Sequence, residues 1–307
     1  VLYGFKHFYP GIRVVGVVFN FVASVAHYAY LQQACVDAGV EALGYIPKDE
    51  SIVIPSRHLG LSIDETFCFD AFADRVAEVI DKTVNVDRLL ELCTVEFSGE
   101  QTEGVICSGN RKIAIARDEA FNFMYRENVE ALKRAGEVVF FSPLHDKRLP
   151  DADLVYFPGG YPELYLPELA ANEGMRQAVR KYCETGGRVL AECGGMMYLC
   201  DTITSDDGKV YPMAGVLKQG ATMEQMKLKL GYREVRVNGQ RIRGHEFHYS
   251  RILPGHEKIP VIGTIYNAKD MVVDTPVYTY KNVLASYIHF YWGECGIDHF
   301  LMLMSQK

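Results

Sequence analysis

Residues Arg188 to Cys200 read RVLAECGGMMYLC, and the fold turns on this run. An apolar strand pattern stops at Cys193, two glycines follow, and an apolar pattern then resumes at helical spacing. A structural cysteine in a core needs no glycines after it. A cysteine presented to a substrate does, because larger neighbours would collide with substrate and with adjacent backbone. A sharp strand-to-helix turn of this kind forces the side chain out over the carboxyl edge of a sheet. The helix start that follows offers free N–H groups and a positive dipole end. It predicts a lowered thiol pKa at Cys193 and a Gly194 N–H aimed at an oxyanion. The competing reading is a core cysteine beside a helix cap. Cys200, inside the apolar pattern, is read as core.

A second strand, Leu154 to Phe157, also ends in a glycine pair, in LVYFPGGYPELY. Ligands of parallel α/β sheets bind beyond the carboxyl ends of strands. Both glycine pairs are therefore expected at one edge, with the Gly160 N–H opposite Gly194, unless the second is an ordinary strand-to-helix loop. Around them, strands (KIAIA, EVVFFSP) alternate with helical patterns over Phe121–Gly136 and Met175–Gly187. That is an α/β fold with an open, mostly parallel sheet. Beyond about residue 208 strands dominate, with turn signals at Asp206-Asp207-Gly208 and Asn238-Gly239, which predicts a partly antiparallel extension. Toward the N-terminus, Ile12–Val22 reads as a buried parallel strand and His27–Gly39 as a helix with a glycine C-cap. Ile63–Thr83 and the run after Asn85 read as two further helices. Residues 98–111 are rich in Gly, Ser and polar residues and read as a linker, so the expected domains are 1–97 and 112–307.

The chain has 307 residues and a net charge of −7, which does not suggest nucleic acid or an anionic membrane as partner. No run of 18 apolar residues is present, so no membrane span is expected. The eight cysteines include no C-x-x-C pair and no zinc spacing with histidine, and no secretory signal opens the chain. A reducing cytoplasm and no bound metal are expected. A base for Cys193 must come from nine histidines. His289 lies near the end of an apolar strand run, as a core residue or a positioned base. His245 and His248 fall on opposite faces of a strand, which disfavours a shared metal. Spacing alone does not choose among them.

The strings FPGGYPELY, RVLAECGGMMYL, RGHEFHYSRI and ASYIHFYWGE resemble the glutaminase domain of the cobyrinic acid a,c-diamide synthase family. GVVFNFV, LGYIPKDESIVIPSRHLGL and ARDEAFNFMY resemble the same family, in its order, over essentially the whole chain. The resemblance implies a class I glutamine amidotransferase fold preceded by part of an ATP-dependent amide synthetase domain. It implies Cys193 as nucleophile toward L-glutamine and His289 as base and later acid. It implies Gly159, Gly160 and Gly194 at the oxyanion site, and His248, Tyr249 and Ser250 at the amino-acid end of the substrate. A corrinoid is the implied acceptor, with ATP and Mg²⁺ serving the full-length enzyme and no cofactor needed for glutamine hydrolysis.

Two departures stand out. Tyr291 occupies the position, two residues past the histidine, where many class I enzymes carry Glu, so a Cys–His dyad is expected; Glu294 is too far along to be assumed a substitute. The chain also contains no G-x-x-x-x-G-K-[ST] phosphate loop. A missing ATP-binding segment before Val1 is therefore expected. Within 1–97, Asn20 is a candidate for an adenine edge or a strand-end cap. Asp49 is a candidate for Mg²⁺ through water or a solvated turn charge, and Arg57 and His58 are candidates for substrate carboxylates. Two other classes compete: a binding module that kept the fold without ammonia transfer, and a cysteine hydrolase of the same fold.

Overall fold

The computed structural model describes residues 1–54, 56–57, 60–61, 67–96, 110–293 and 297. The chain divides into two compact units, Val1–Thr102 and Glu103–Lys307.

The first unit runs α1 (Leu2–Phe8), β1 (Gly16–Val22), α2 (Val25–Ala38), β2 (Glu41–Pro47), a one-turn 3₁₀ helix at Glu50–Ile52, β3 (Ser56–Arg57), β4 (Gly60–Leu61), α3 (Phe69–Thr83) and α4 (Val86–Cys93). β1 and β2 pair in parallel, Gly16 opposite Glu41 and Phe19 opposite Tyr45. α2 ends as its sequence predicts, with Gly39 left-handed and its N–H on the carbonyls of Cys35 and Val36. Asn85 caps α4 by accepting from the Arg88 N–H. The strand read over Ile12–Val22 starts only at Gly16, and Val22 is its one buried residue. Among the described residues β1 has a single strand partner, too little structure to bury the rest. The predicted helix from Ile63 begins at Phe69, and residues 62–66 lie outside the described residues.

The second unit is organised around a six-stranded sheet. Its strands are β5 (Arg111–Ala116), β6 (Gly136–Phe141), β7 (Leu154–Phe157), β8 (Arg188–Glu192), and, after the strands named below, β16 (Val277–Tyr280) and β17 (Val283–Ser286). The order is β16-β17-β8-β7-β5-β6, parallel except for the edge strand β16. Alternation divides the strands between two cores. Ile113, Ile115, Leu154, Tyr156, Leu190 and Leu284 face one side, with Ala131 and Leu132 of α5 (Arg126–Ala135). Ala114, Val155, Phe157, Val189, Ala191 and Ala285 face the other, with Met175, Val179 and Cys183 of α7 (Glu173–Glu184). The short α6 (Leu166–Ala171) precedes α7, and α8 (Gly194–Leu199) follows β8 directly.

α5 starts five residues later than its sequence pattern suggests. The Asp118 carboxylate explains this: one oxygen accepts the N–H groups of Ala120 and Phe121, the other accepts Ser142 Oγ–H and the Leu144 N–H. Residues 118–123 are held as a turn, and the Phe123 N–H donates to the Gly159 carbonyl.

The partly antiparallel extension is present, beginning at Cys200. β9 (Cys200–Thr204), β10 (Val210–Pro212), β11 (Leu217–Thr222) and β14 (Arg251–Leu253) form one sheet, which includes one parallel pair, β9 with β11. β12 (Lys229–Val237), β13 (Gln240–His248), β15 (Thr264–Asn267) and β18 (Ile288–Phe290) form another, ordered β15-β12-β13-β18. β12 and β13 are joined through Asn238 and Gly239, both at positive φ as a two-residue hairpin turn requires.

Candidate active site

The parallel register sets the site. Phe157 lies opposite Ala191, and Glu192 opposite Ser286. The ends of β7, β8 and β17 therefore stop level with one another, and the segments leaving them are Gly159-Gly160, Cys193-Gly194 and Tyr287–His289.

Cys193 turns the chain from strand to helix with φ 46 and ψ −107. Such a conformation costs a non-glycine residue about 1–3 kcal/mol and persists only where its surroundings over-determine it. Here its N–H donates to the Ser286 carbonyl at 2.8 Å and its carbonyl accepts from the Met197 N–H at 3.0 Å. The thiol is 7% exposed, with Sγ 3.9 Å from the Phe247 carbonyl oxygen. The lowered thiol pKa predicted from the helix start is not what the surroundings produce. Burial pushes the thiol well up, and the Glu163 carboxylate pushes it further, with smaller contributions from Glu192 and Glu246. The hydrogen bond from the Gly194 N–H pulls the other way and is outweighed. α8 has only six residues, so its dipole end is weak against full desolvation. The resting thiol is protonated and needs a base. Cys200 is wholly buried, as its pattern predicts.

His289 reaches the same edge on β18 and is buried. Burial first, then the charges of His245 and His248, lower its pKa to about 3. It is a neutral imidazole at neutral pH, the form a base requires. Its Nδ1 is buried without a hydrogen-bond partner among the described residues. The ring is held by packing instead. Phe123 meets it edge-on at 4.7 Å and His245 stacks on it at 4.8 Å with planes 14° apart. Glu294 lies outside the described residues.

The Gly159-Gly160 turn touches both partners. A methyl group at Gly159 would lie 2.2 Å from His289 Cε1. A methyl group at Gly194 would lie 3.2 Å from the Gly160 nitrogen and 2.7 Å from Pro162 Cδ. Gly160 has φ 155, and a Cβ there would lie 2.1 Å from the Ala120 carbonyl oxygen, so only glycine fits. Tyr161 donates its N–H to that same carbonyl, which pins the turn.

The segment Phe247–Ser250 forms a wall. His248 Nδ1 lies 2.7 Å from the Ser250 carbonyl and Nε2 lies 2.8 Å from Glu246 Oε1, so both ring nitrogens face acceptors. The ring stacks on Tyr287 at 3.5 Å. Burial pushes the Glu246 carboxyl up, yet hydrogen bonds from His248 and Thr275, with Arg233 alongside, hold it at about 2. Ser250 Oγ pairs with the Tyr287 hydroxyl at 2.9 Å. The polar side-chain atoms of His248 and Ser250 are thus taken up inside the protein.

Sequence reasoning assigns no site role to three groups here, the buried Glu192 and the half-buried Glu163 and His245. Glu192 accepts Tyr156 O–H at 2.8 Å and the Phe290 N–H at 3.2 Å, and burial raises its carboxyl to about 8. Glu163, on the 3₁₀ turn Pro162–Leu164, is raised by burial to about 7. His245 takes a hydrogen bond between Nδ1 and the Tyr125 hydroxyl at 2.6 Å. A charge inside an apolar strand was a visible signal for Glu192. Nothing in the local pattern marks the other two.

In the first unit, Asn20 is exposed, lies within β1, and its Oδ1 accepts the N–H of the next residue, Phe21, at 2.9 Å. It also lines a cleft of about 570 Å³ with Val17, Phe19 and Leu31. Asp49 caps the 3₁₀ turn, accepting from Ser51 N–H and Oγ–H at 2.8 and 2.6 Å, with Arg75 at 3.8 Å. These contacts hold its carboxyl below the usual range. Arg57 lies on β3, its side chain outside the described structure, and His58 lies outside the described residues. Among the described residues no group of three or more His, Cys, Asp or Glu could hold a metal ion. No helix among them is long and apolar enough to cross a membrane.

Residues 112–295 match the CobB/CobQ-like glutamine amidotransferase domain. The chain is 34% identical over 307 residues to the cobyrinate a,c-diamide synthase of Salmonella typhimurium, covering 95% of this chain and 67% of that protein. It is 36% identical over 296 residues to the hydrogenobyrinate a,c-diamide synthase of Pseudomonas aeruginosa, covering 94% and 66%. The chain thus spans about two thirds of the length of these relatives. Among solved structures, PurLQS from Thermotoga maritima is similar at 17% identity and a TM-score of 0.43, covering 64% of this chain and 97% of that chain.

Proposed function

Because this chain belongs to the CobB/CobQ-like glutamine amidotransferase family, a family of glutamine-hydrolysing carbon–nitrogen ligases, we propose that its second unit releases ammonia from L-glutamine at Cys193 and His289. The observation that carries the assignment is the Gly159-Gly160 turn, which packs on the His289 ring and on Gly194 at once.

Cys193 Sγ attacks the carboxamide carbon while His289 takes the thiol proton. The carbonyl oxygen becomes an oxyanion between the N–H groups of Gly160 and Gly194; a single donor of this kind is worth about 3–4 kcal/mol of barrier. Collapse breaks the C–N bond, and the proton on His289 leaves with ammonia. Water then cleaves the thioester, again with His289 as base, and glutamate departs. The resting pair is neutral thiol and neutral imidazole, so the protein does not hold a preformed thiolate. The charge separation is made only when substrate fills the edge and the oxyanion donors are engaged. This supports a dyad whose glutaminase activity is weak until the acceptor side is engaged. Tyr249 and the backbone of 247–250 serve the amino-acid end of glutamine.

In the whole protein the ammonia amidates the a and c acetate carboxylates of a corrinoid such as cobyrinate, with ATP and Mg²⁺ activating each carboxylate. The described part of the first unit does not fit the metal: the Asp49 carboxylate is occupied by Ser51 and has Arg75 beside it. No step through nucleotide or metal is assigned to residues of this chain.

The test is Cys193→Ser in the whole protein. It is expected to abolish glutamine-dependent amidation and to leave amidation with free ammonia intact. Loss of both would contradict a nucleophile that serves glutamine alone.

A further inference from the structure

The base of a Cys–His pair needs a partner that fixes its ring, and here Nδ1 of His289 has none among the described residues. A buried imidazole without a hydrogen bond can rotate about its side-chain bonds unless packing prevents it. Three surfaces surround this ring. Gly159 closes on Cε1 and Phe123 meets it edge-on. The third is flat and parallel, the imidazole of His245 at 4.8 Å and 14°.

The stack is built by strand register. β13 and β18 are antiparallel, and His245 lies directly opposite His289, with Gly244 opposite Phe290 and Glu246 opposite Ile288. Directly opposed residues have Cβ atoms about 4.5–5.5 Å apart, so two rings there must share one surface. His245 is itself fixed from the other direction. Its Nδ1 is 2.6 Å from the Tyr125 hydroxyl, and Phe123 and Tyr125 meet its ring edge-on at 5.7 and 6.0 Å. Tyr125 in turn meets Tyr291 at 90°. Tyr291 therefore stands in this outer layer, packed on the residue that fixes His245.

Resting on the reading of His289 as base, we propose that His245 is a positioning residue for the reaction: its ring, locked by the Tyr125 hydroxyl, holds His289 in its working orientation by stacking. The imidazole of His245 takes no proton from substrate in this arrangement. What it supplies is a rigid plane.

Two substitutions separate plane from chemistry. His245→Phe keeps a flat ring of similar size, and His245→Ala removes it. Glutamate release from glutamine is measured across substrate concentration for both, with Tyr125→Phe and Cys193→Ser alongside. A misplacement of roughly 1 Å at a catalytic group costs on the order of 100-fold, so His245→Ala is expected to lose about that much in kcat. KM should stay within about twofold, since the proposed role acts through the base. His245→Phe should recover kcat to within about fivefold of the parent, and Tyr125→Phe should fall between the two. The proposal is overturned if His245→Ala keeps the parent kcat, if its loss falls on KM, or if His245→Phe is as impaired as His245→Ala. Should His245→Ala fail to fold, Tyr125→Phe decides, and an unchanged kcat there overturns the proposal. If Cys193→Ser keeps glutaminase activity, the underlying reading of the site fails and the proposal with it. If Cys193→Ser is inactive and His245→Ala is unaffected, only the proposal falls.

Discussion

Replacing Gly159 by alanine adds one methyl group at the point where the loop meets the base. That methyl would lie 2.2 Å from His289 Cε1 and 2.9 Å from Nδ1. Ordinary van der Waals contact begins at 3.4 Å, so ring and loop must part by 3.4 minus 2.2, which is 1.2 Å. The ring cannot easily retreat, because His245 and Phe123 back it at 4.8 and 4.7 Å. The loop cannot easily retreat either, because the Gly159 carbonyl accepts the Phe123 N–H and the Tyr161 N–H is bonded to Ala120. Gly159 has no left-handed φ, so alanine itself is not strained there. The cost therefore falls on the alignment of the base. A displacement of this size is expected to reduce kcat about 100-fold, equivalent to about 2.7 kcal/mol of barrier. The added strain should lower stability by about 1–3 kcal/mol without unfolding the second unit. The assay is glutamate release by the purified variant, with thermal unfolding measured in parallel. A Gly159→Ala protein with glutaminase activity within about twofold of the parent and an unchanged Tm would refute the packing of this loop on the base.

Two further predictions concern the carboxyls of Glu192 and Glu163. Glu192 is raised to about 8 in the folded chain from an unfolded value near 4.5, so the native state holds a proton the unfolded state releases. Its stabilising contribution is full below about pH 4.5 and is lost as pH rises through about 8, by up to about 5 kcal/mol. Glu192→Gln can accept the Phe290 N–H and donate to the Tyr156 oxygen. It should flatten the fall of Tm between about pH 5 and 8, and an unchanged slope would show that Glu192 is not the group responsible. Glu163 raises the pKa of the Cys193 thiol by its charge. Glu163→Gln should therefore speed alkylation of Cys193 at pH 8 and leave it unaltered well below pH 7; slower alkylation at pH 8 would reverse the sign of that coupling.

Much of the edge is legible in the sequence because the physics involved is local. Cys193 followed by two glycines after an apolar strand specifies an elbow, and the glycine pair after Phe157 specifies a second close turn. The hairpin at Asn238-Gly239 and the caps at Gly39 and Asn85 were visible for the same reason, since each depends on residues within a few positions. The thiol pKa was not legible. The helix start is local, but the burial and the Glu163 charge that outweigh it come from 30 residues away in sequence. His245 was read only as half of an unlikely metal pair, since its partner is set by the β13–β18 register and not by spacing. The helix over Phe121–Gly136 was overextended because Asp118, just upstream of it, draws four donors into a turn. The exposed face of β1 was missed because its apolar run reflects what a strand can pack against, and the described structure gives it one strand neighbour.

The central claim is that one thiol, Cys193, forms the covalent bond with glutamine and that His289 activates it. The most direct measurement is peptide mapping by mass spectrometry after treating the chain with a diazo-ketone analogue of glutamine, with the His289→Ala variant in parallel. The account predicts a single adduct on the peptide carrying Cys193, none on Cys200 or Cys183, and much slower labelling when the imidazole is removed. Labelling of another cysteine, or equal rates with and without His289, would contradict it.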